Sequence, residues 1–283
     1  MRRKKVKIAI AYDFDGTLAP GYMQHHAFLP EIGQKPEKFW EKAKRWAKDQ
    51  DGDEILAYMH LMLDEARHHE LTRKAFRQRG KNLTLFPGVK EWFNRKNQYA
   101  SNLGVELHHF VISSGLREII GGTPIAKEFT RIFASGYHYN ASGEAKWPAV
   151  SVNYTTKTQY LFRINKWVMN SWNNDAVNEY FEPNSRPVPF TNIVFIGDGE
   201  TDVPAMKMTR FQGGHAIAVY DDRKRATKTK KSPKQIAELL VDRDRADFAR
   251  PANYTKGSRL DVCVDRIIDK IAINTNIHTT PKK

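Results

Sequence analysis

Cysteine is nearly absent from this chain: Cys263 is the only one in 283 residues. No disulfide can form within the chain. That excludes a disulfide-stapled scaffold, fits a reducing compartment, and makes a cytoplasmic location the expectation. Long apolar runs are missing too. No uninterrupted apolar stretch is long enough to span a bilayer, so no membrane partner is expected. The start, MRRKK followed by VKIAIAY, loosely imitates a signal peptide. Lys7 interrupts its apolar part, which runs straight into Asp13 with no small-residue cleavage site, so the targeting reading is rejected. No internal repeat is present. Acidic residues are in deficit: 32 Asp and Glu face 46 Lys and Arg, a formal net charge of +14. Such an excess admits a nucleic-acid partner. The basic residues are spread widely, however, and the densest runs, MRRKK and DRKRATKTKKSPK (222–234), carry no interleaved aromatics for base stacking. A nucleic-acid partner is therefore admitted and not favoured.

Apolar and aromatic residues are sufficient for a sizeable core. The run at 6–14 reads as a strand buried on both faces, as in a parallel sheet. The next stretch changes character. Phe39, Trp40, Ala43, Trp46 and Ala47 recur at helical spacing, as do Ile55, Leu56, Met59, Met62 and Leu63, and ELTRKAFRQRG adds a shorter helix. Residues 20–85 thus read as an all-helical block inserted after the first strand. A helix follows Pro87–Gly88, ending near Gly104. VELHHFVISSG is a second strand. Residues 116–133 look helical, broken by GGTP, and 132–154 carries short strand-like pieces. TKTQYLFRINKWVMNSW is a helix, NIVFIGDGETD a third strand, HAIAVY a fourth, and LDVCVDRIIDKIA a last helix. Strands alternating with helices predict an α/β fold, a doubly wound parallel sheet, with ligands beyond the carboxyl ends of the strands.

Three of those strands end in reactive residue types: DFDGT after the first, SSG after the second, GDGETD after the third. One shared crevice explains all three. Asp13, Asp15, Asp198 and Asp202 would meet there, and such carboxylates repel one another strongly. A divalent cation resolves the conflict, and all-oxygen ligation favours Mg²⁺. Ser113 offers a hydroxyl, and Ser114 replaces it if the strand ends one residue later. Lys157 sits at a helix start, where the dipole does not favour a cation, so it is expected to face an anion or a carboxylate; Lys146 and Lys166 are the alternatives. The histidine pairs His25–His26, His68–His69 and His108–His109 lack ligand spacing and are expected to be solvated or core. Asp202 is also a candidate N-cap for the helix at VPAMKM. Trp40, Trp46 and Tyr58 are expected to pack, while Tyr22, Met23 and Gln24 are placed to face a substrate.

DFDGTL, VISSG, Lys157 and GDGETD, in that order, resemble the four motifs of the haloacid dehalogenase-like (HAD) hydrolase superfamily. The helical block resembles its C1-type cap, and LFPGV resembles the segment where the chain re-enters the core. The pairing of SSG with GDGETD is most similar to the phosphoserine-phosphatase-like branch; GETD departs from the "xND" form often seen in that motif. The resemblance implies a Rossmann-like core at 1–19 and 86–283 and a cap at 20–85. It also implies roles: Asp13 as nucleophile forming an aspartyl-phosphate, Asp15 as general acid and base with its main-chain carbonyl on the metal, and Ser113 and Lys157 on the phosphoryl group. Asp198 would bind Mg²⁺ with Asp202 supporting it. A halide leaves without a proton, so an acid two residues after the nucleophile favours a phosphatase over a dehalogenase. The expected activity is a Mg²⁺-dependent phosphomonoester phosphatase on a small phosphorylated metabolite. The alternatives are a nucleic-acid end-processing phosphatase and a phosphomutase on the same core.

Overall fold

The computed structural model describes residues 5–66, 71–182, 185–227 and 231–279. Its centre is a seven-stranded sheet in the order β4-β3-β2-β1-β5-β6-β7. The strands are β1 Lys7–Tyr12, β2 Glu106–Leu116, β3 Arg131–Tyr139, β4 Ala145–Val150, β5 Ile193–Gly197, β6 His215–Tyr220 and β7 Phe248–Pro251. Every pairing is parallel except that of β4 with β3. The edge strand β4 contains Pro148, a residue tolerated there because an edge need not donate to a ladder on both sides.

β1 is apolar after Lys7, from Ile8 on, because both of its faces are covered. Ile8, Ile10 and Tyr12 join an apolar cluster with Trp92 and Phe93 of helix α5 (Val89–Asn102) and Val264 and Ile268 of α11 (Arg259–Thr279). Ala9 and Ala11 face the opposite cluster. There they meet Leu161 and Ile164 of α7 (Lys157–Lys166), Met206 of α9 (Val203–Phe211) and Leu240 of α10 (Pro233–Asp242). The small α8 (Asn174–Asn178) follows α7. The doubly wound arrangement follows directly from that two-sided burial.

Between β1 and α5 the chain forms four helices: α1 Met23–Ala27, α2 Pro36–Asp49, α3 Glu54–Glu65 and α4 Arg73–Gly80. Phe39 and Ala43 of α2, Tyr58, Met59 and Met62 of α3 and Phe76 of α4 belong to the same apolar cluster as Ile8, Ile10 and Tyr12. Among the described residues the helical block thus shares its core with the sheet. Helix α3 is started by Asp53, whose Oδ1 accepts from the amides of Ile55 (2.8 Å) and Leu56 (2.9 Å). Thr72 caps α4 in the same way.

Some local expectations give way. The helix expected over 116–133 is only α6 (Arg117–Ile120), then a 3₁₀ turn at Ala126–Glu128, before β3 begins. Pro124 has no amide to donate, and the chain must extend to pair Phe110 with Arg131. β7 has no expectation to match. Its four half-buried residues carry no periodic signal, and it exists because β6 presents a free edge. α10 is also new, although Ser232 and Gln235 form a full capping box before its apolar stripe.

His108 and His109 divide as the strand's alternation requires. His108 pairs with Glu106 at 3.0 Å near the surface. His109 is buried in a polar chain: Trp92 Nε1 donates to the Tyr12 hydroxyl at 2.8 Å, and that hydroxyl meets His109 Nδ1 at 3.0 Å. Nε2 meets Asn97 Oδ1 at 3.1 Å. The chain requires the neutral Nε2–H tautomer. His68 and His69 lie outside the described residues.

Burial pushes the His109 pKa down from 6.5 to about 3, with His108 adding to the effect. The unfolded chain binds this proton below pH 6.5, and the folded chain only near pH 3. Folded stability is therefore lost as pH falls through that window, by up to about 1.4 kcal/mol per pH unit. A His109→Gln variant should be less stable at pH 7 by roughly 1–3 kcal/mol and have a flatter profile between pH 6 and 4. Urea unfolding of both proteins at four pH values measures this, and parallel profiles would contradict it.

Candidate active site

The strand order sets β2, β1 and β5 side by side, so the turns SSG, DFDGT and GDGETD open at one edge of the sheet. The Asp13 amide donates to the Ile196 carbonyl at 2.9 Å, which extends the β1–β5 ladder to the reactive carboxylate itself. The chain then turns sharply, with Leu18 and Gly16 donating to Phe14 and Ala19 at 2.8 and 2.7 Å. Gly16 has φ of +75°, and a Cβ there would lie 2.0 Å from Asp198 Oδ2. Only glycine lets the two loops approach this closely.

Asp13 is 5% exposed and Lys157 1% exposed. Lys157 is the first residue of α7, and its Nζ lies 3.1 Å from Asp13 Oδ1 and 2.6 Å from Asp202 Oδ1. Lys146 instead pairs with Glu144, and Lys166 donates to the Val177 carbonyl. The expected cation is therefore Lys157. Asp202 occupies the N-cap position of α9 but does not cap it. Its Oδ2 turns back to the amides of Asp198 (3.0 Å) and Gly199 (3.5 Å). A Cβ on Gly197 would lie 2.3 Å from that oxygen, so this glycine makes room for the turn.

Carboxylate oxygens of Asp13, Asp198 and Asp202 lie within 4.8 Å of one another. Asp15 is turned elsewhere: its Oδ1 accepts from the Met23 amide at the start of α1, at 2.9 Å. Ser113 Oγ accepts from the Gly115 amide at 3.1 Å. Ser114 Oγ is buried with no hydrogen-bond partner among the described residues, while the Ser114 carbonyl accepts from the Tyr58 hydroxyl at 2.6 Å.

The electrostatics follow from burial. Desolvation pushes the Asp13 carboxyl up to about 6; Lys157 opposes this and Asp202 adds to it. Desolvation and then Asp13 hold Asp15 well above the carboxylate range. Desolvation, then Asp202 and Asp13, do the same for Asp198. Burial disfavours the Lys157 charge, but Asp13 and Asp202 outweigh it and keep the ammonium above its ordinary value. Three carboxylates are thus grouped around one buried ammonium that contacts two of them, a shortfall of positive charge that a small divalent cation would meet. Asp202 already has Lys157 on one oxygen and two amides on the other. Among the described residues the side-chain cation facing Asp13 Oδ1 is Lys157, at 3.1 Å. This donor set fits a hard cation facing Asp13 and Asp198, with Asp202 behind them. Among the described residues no histidine joins such a group; His25 Nε2 instead accepts from Trp40 Nε1 at 2.7 Å.

One set of residues had no sequence signal. Asp53 not only caps α3 but accepts from Ser151 Oγ at 3.1 Å and Asn153 Nδ2 at 2.6 Å. Tyr154 Oη donates to Glu54 Oε2 at 3.2 Å. The helical block is thereby tied to the loop that leads into Lys157.

The model of the haloacid dehalogenase-like hydrolases matches residues 10–207. An uncharacterized protein of Borreliella burgdorferi is 28% identical over 303 residues, covering 97% of this chain and 100% of that protein. Among solved structures, a HAD family hydrolase from Salmonella enterica serovar Typhi aligns with a TM-score of 0.56 at 14% identity, covering 93% of this chain and 71% of its own. A phospho-aspartyl intermediate analogue of phosphoserine phosphatase aligns with a TM-score of 0.53 at 18% identity, covering 87% and 93% respectively. At these identities the structural likeness is one of fold.

Lys157→Met should leave three buried carboxylates without a counter-charge and cost about 3–5 kcal/mol in metal-free buffer. Added Mg²⁺ should recover part of the loss. Denaturant unfolding with and without Mg²⁺ measures both effects; unchanged stability would show that the ammonium does not balance this cluster.

Proposed function

The chain belongs to the haloacid dehalogenase-like hydrolases, and from that premise we propose that it is a Mg²⁺-dependent phosphomonoester phosphatase working through an aspartyl-phosphate on Asp13. The observation that carries the reading is the grouping at one sheet edge: Asp13 beside Lys157 at 3.1 Å, its carboxylate grouped with those of Asp198 and Asp202, and Asp15 two residues on.

In the first half-reaction an Asp13 carboxylate oxygen attacks phosphorus, and the bond from phosphorus to the ester oxygen breaks. Asp15 gives its proton to that departing oxygen. Its burial beside Asp13 favours the protonated form that the step needs. In the second half-reaction the Asp15 carboxylate takes a proton from water. The water oxygen bonds to phosphorus, the Asp13–phosphorus bond breaks, and inorganic phosphate leaves with Asp13 and Asp15 restored. Two modest barriers replace one large one. The Lys157 ammonium and the Ser113 and Ser114 hydroxyls hold the phosphoryl oxygens through both steps. Mg²⁺ at Asp13 and Asp198, with the Asp15 carbonyl and Asp202 supporting it, would neutralise charge on the phosphoryl group.

We assign residues 20–85 as the cap and 1–19 with 86–283 as the core. The ties through Tyr58 and Asp53 support a roof over the carboxylates that limits water and selects the substrate. The substrate is a small phosphorylated metabolite. None of the described helices is long and apolar enough to cross a membrane, and the lone buried cysteine supports a cytoplasmic enzyme.

Phosphate should be released from p-nitrophenyl phosphate and from alkyl phosphates with Mg²⁺ present, and EDTA should stop it. Asp13→Asn should fold normally and lose at least about 10³-fold in turnover. Asp15→Asn should slow alkyl phosphates by about 10²–10⁴-fold and p-nitrophenyl phosphate less, because nitrophenolate leaves without a proton. Folded protein with Mg²⁺ that releases no phosphate from any ester would refute the assignment.

A further inference from the structure

Helix α11 sorts its charges by face. Asp261, Asp265 and Asp269 recur every four residues and meet α5. Asp261 Oδ1 lies 3.0 Å from Arg95 Nη2 and 2.8 Å from Lys96 Nζ, and Asp265 Oδ1 lies 2.5 Å from the same ammonium. Asp269 Oδ1 accepts from the Tyr99 hydroxyl at 2.8 Å. The acidic stripe is therefore taken up inside the fold. Arg259, Arg266 and Lys270 form a second stripe on the other side of the helix, at spacings of seven and four residues. All three are exposed, and none has an ion pair among the described residues.

That basic stripe forms one wall of a cavity of about 580 Å³. The opposing wall comes from β7, the last strand in the sheet order. Phe248 and Arg250 are alternate residues of β7 and so share a face; both line the cavity. The Arg250 guanidinium stands over the Phe248 ring, 5.1 Å from its centroid, and Nη1 donates to the Ala249 carbonyl at 2.8 Å. Its own strand thus holds this cation in place. Arg250, Arg259, Arg266 and Lys270 give the cavity four positive charges, and none of its lining residues is acidic. Asp247, the neighbour of Phe248, is already engaged by Arg210 Nε and the Ala216 amide, each at 2.7 Å. No residue of the carboxylate site lines this cavity.

Four like charges around one concavity repel each other, and a bound anion would relieve that repulsion. Three of the four are guanidinium groups, whose planar forks match the paired oxygens of a phosphate. The volume is that of a small-molecule site. The charge is also strung out: eleven residues separate Arg259 from Lys270, about 16 Å along the helix axis. One phosphate would meet only part of that row, whereas linked phosphates would meet it along its length. Phe248, covered by Arg250, and His215 are the only rings lining the cavity. A nucleic-acid strand would find no platform there for successive bases, so the features favour a short phosphate chain.

We propose that the cavity between α11 and β7 is a second ligand site, which binds an oligophosphate: a small ligand carrying two or more linked phosphate groups. The site is separate from the carboxylates and stands whether or not the chain is a phosphatase.

The test is calorimetric titration of the full chain in low-salt buffer with EDTA, so that no metal ion holds a probe at the carboxylates. The probes are tripolyphosphate, orthophosphate, citrate and a single-stranded oligonucleotide. Tripolyphosphate should bind at one site, at least about tenfold more tightly than orthophosphate or citrate, and more weakly as salt is raised. Arg259→Gln combined with Arg266→Gln should weaken it by at least about tenfold. Both side chains are exposed, so the fold should persist, and circular dichroism checks this. Lys44→Gln combined with Lys48→Gln removes the same charge from the exposed face of α2 and should change the affinity by less than about twofold. No binding of tripolyphosphate, equal affinity for citrate, or tighter binding of the oligonucleotide would overturn the proposal. So would an affinity that survives the arginine substitutions or falls equally with the lysine ones.

Discussion

One buried ammonium makes the rest of the site possible. Asp13, Asp198 and Asp202 are brought together by strand order, and without a positive charge among them their repulsion in a dry environment would force the loops apart. Lys157 reaches Asp202 at 2.6 Å and Asp13 at 3.1 Å from the first turn of α7. It touches two of the three carboxylates, and Asp198, with no cation in contact among the described residues, is held well above the ordinary carboxylate range by burial, Asp202 and Asp13. The protein therefore balances the cluster only in part, which is the condition for a cation to bind there rather than be excluded. The same arithmetic explains two glycines: Gly16 lets Asp198 approach the nucleophile loop, and Gly197 lets Asp202 fold back on its own turn.

The helical block is joined to this charge cluster at several points. Met23 donates to Asp15, Tyr58 to the Ser114 carbonyl, and Asp53 accepts from Asn153 four residues before Lys157. Because the block shares its apolar core with one sheet face, moving it would expose side chains from both parts. That coupling favours small adjustments near the mouth over a wide swing of the whole block. Tyr22 adjoins the Met23 whose amide holds Asp15, and Tyr154 lies three residues before Lys157.

Much of this was legible in residues 8–20. An apolar run ending in Asp13 and Asp15 is hard to explain as structure alone, and SSG and GDGETD repeat the pattern at two other strand ends. Strand interiors and acidic or hydroxyl turns have local signatures, so the doubly wound sheet and the meeting of its turns could be anticipated. β7 could not be, since its four residues pair only because β6 has a free edge. α10 carries a local signal in Ser232 and Gln235, but that signal sits beside a basic run that reads as loop.

The sequence by itself determined which chemistry is present: carboxylates, hydroxyls and glycines at the ends of buried strands, types that local propensity and burial cost make informative. Only the tertiary structure decided how they are used. It chose Lys157 over Lys146 and Lys166, turned Asp202 inward instead of leaving it to cap α9, swung Asp15 toward Met23, and joined Asp53 to a loop one hundred residues away. The physical reason is that these choices depend on which elements become neighbours across the sheet, and contacts of that range leave no periodicity in the chain for a local reading to find.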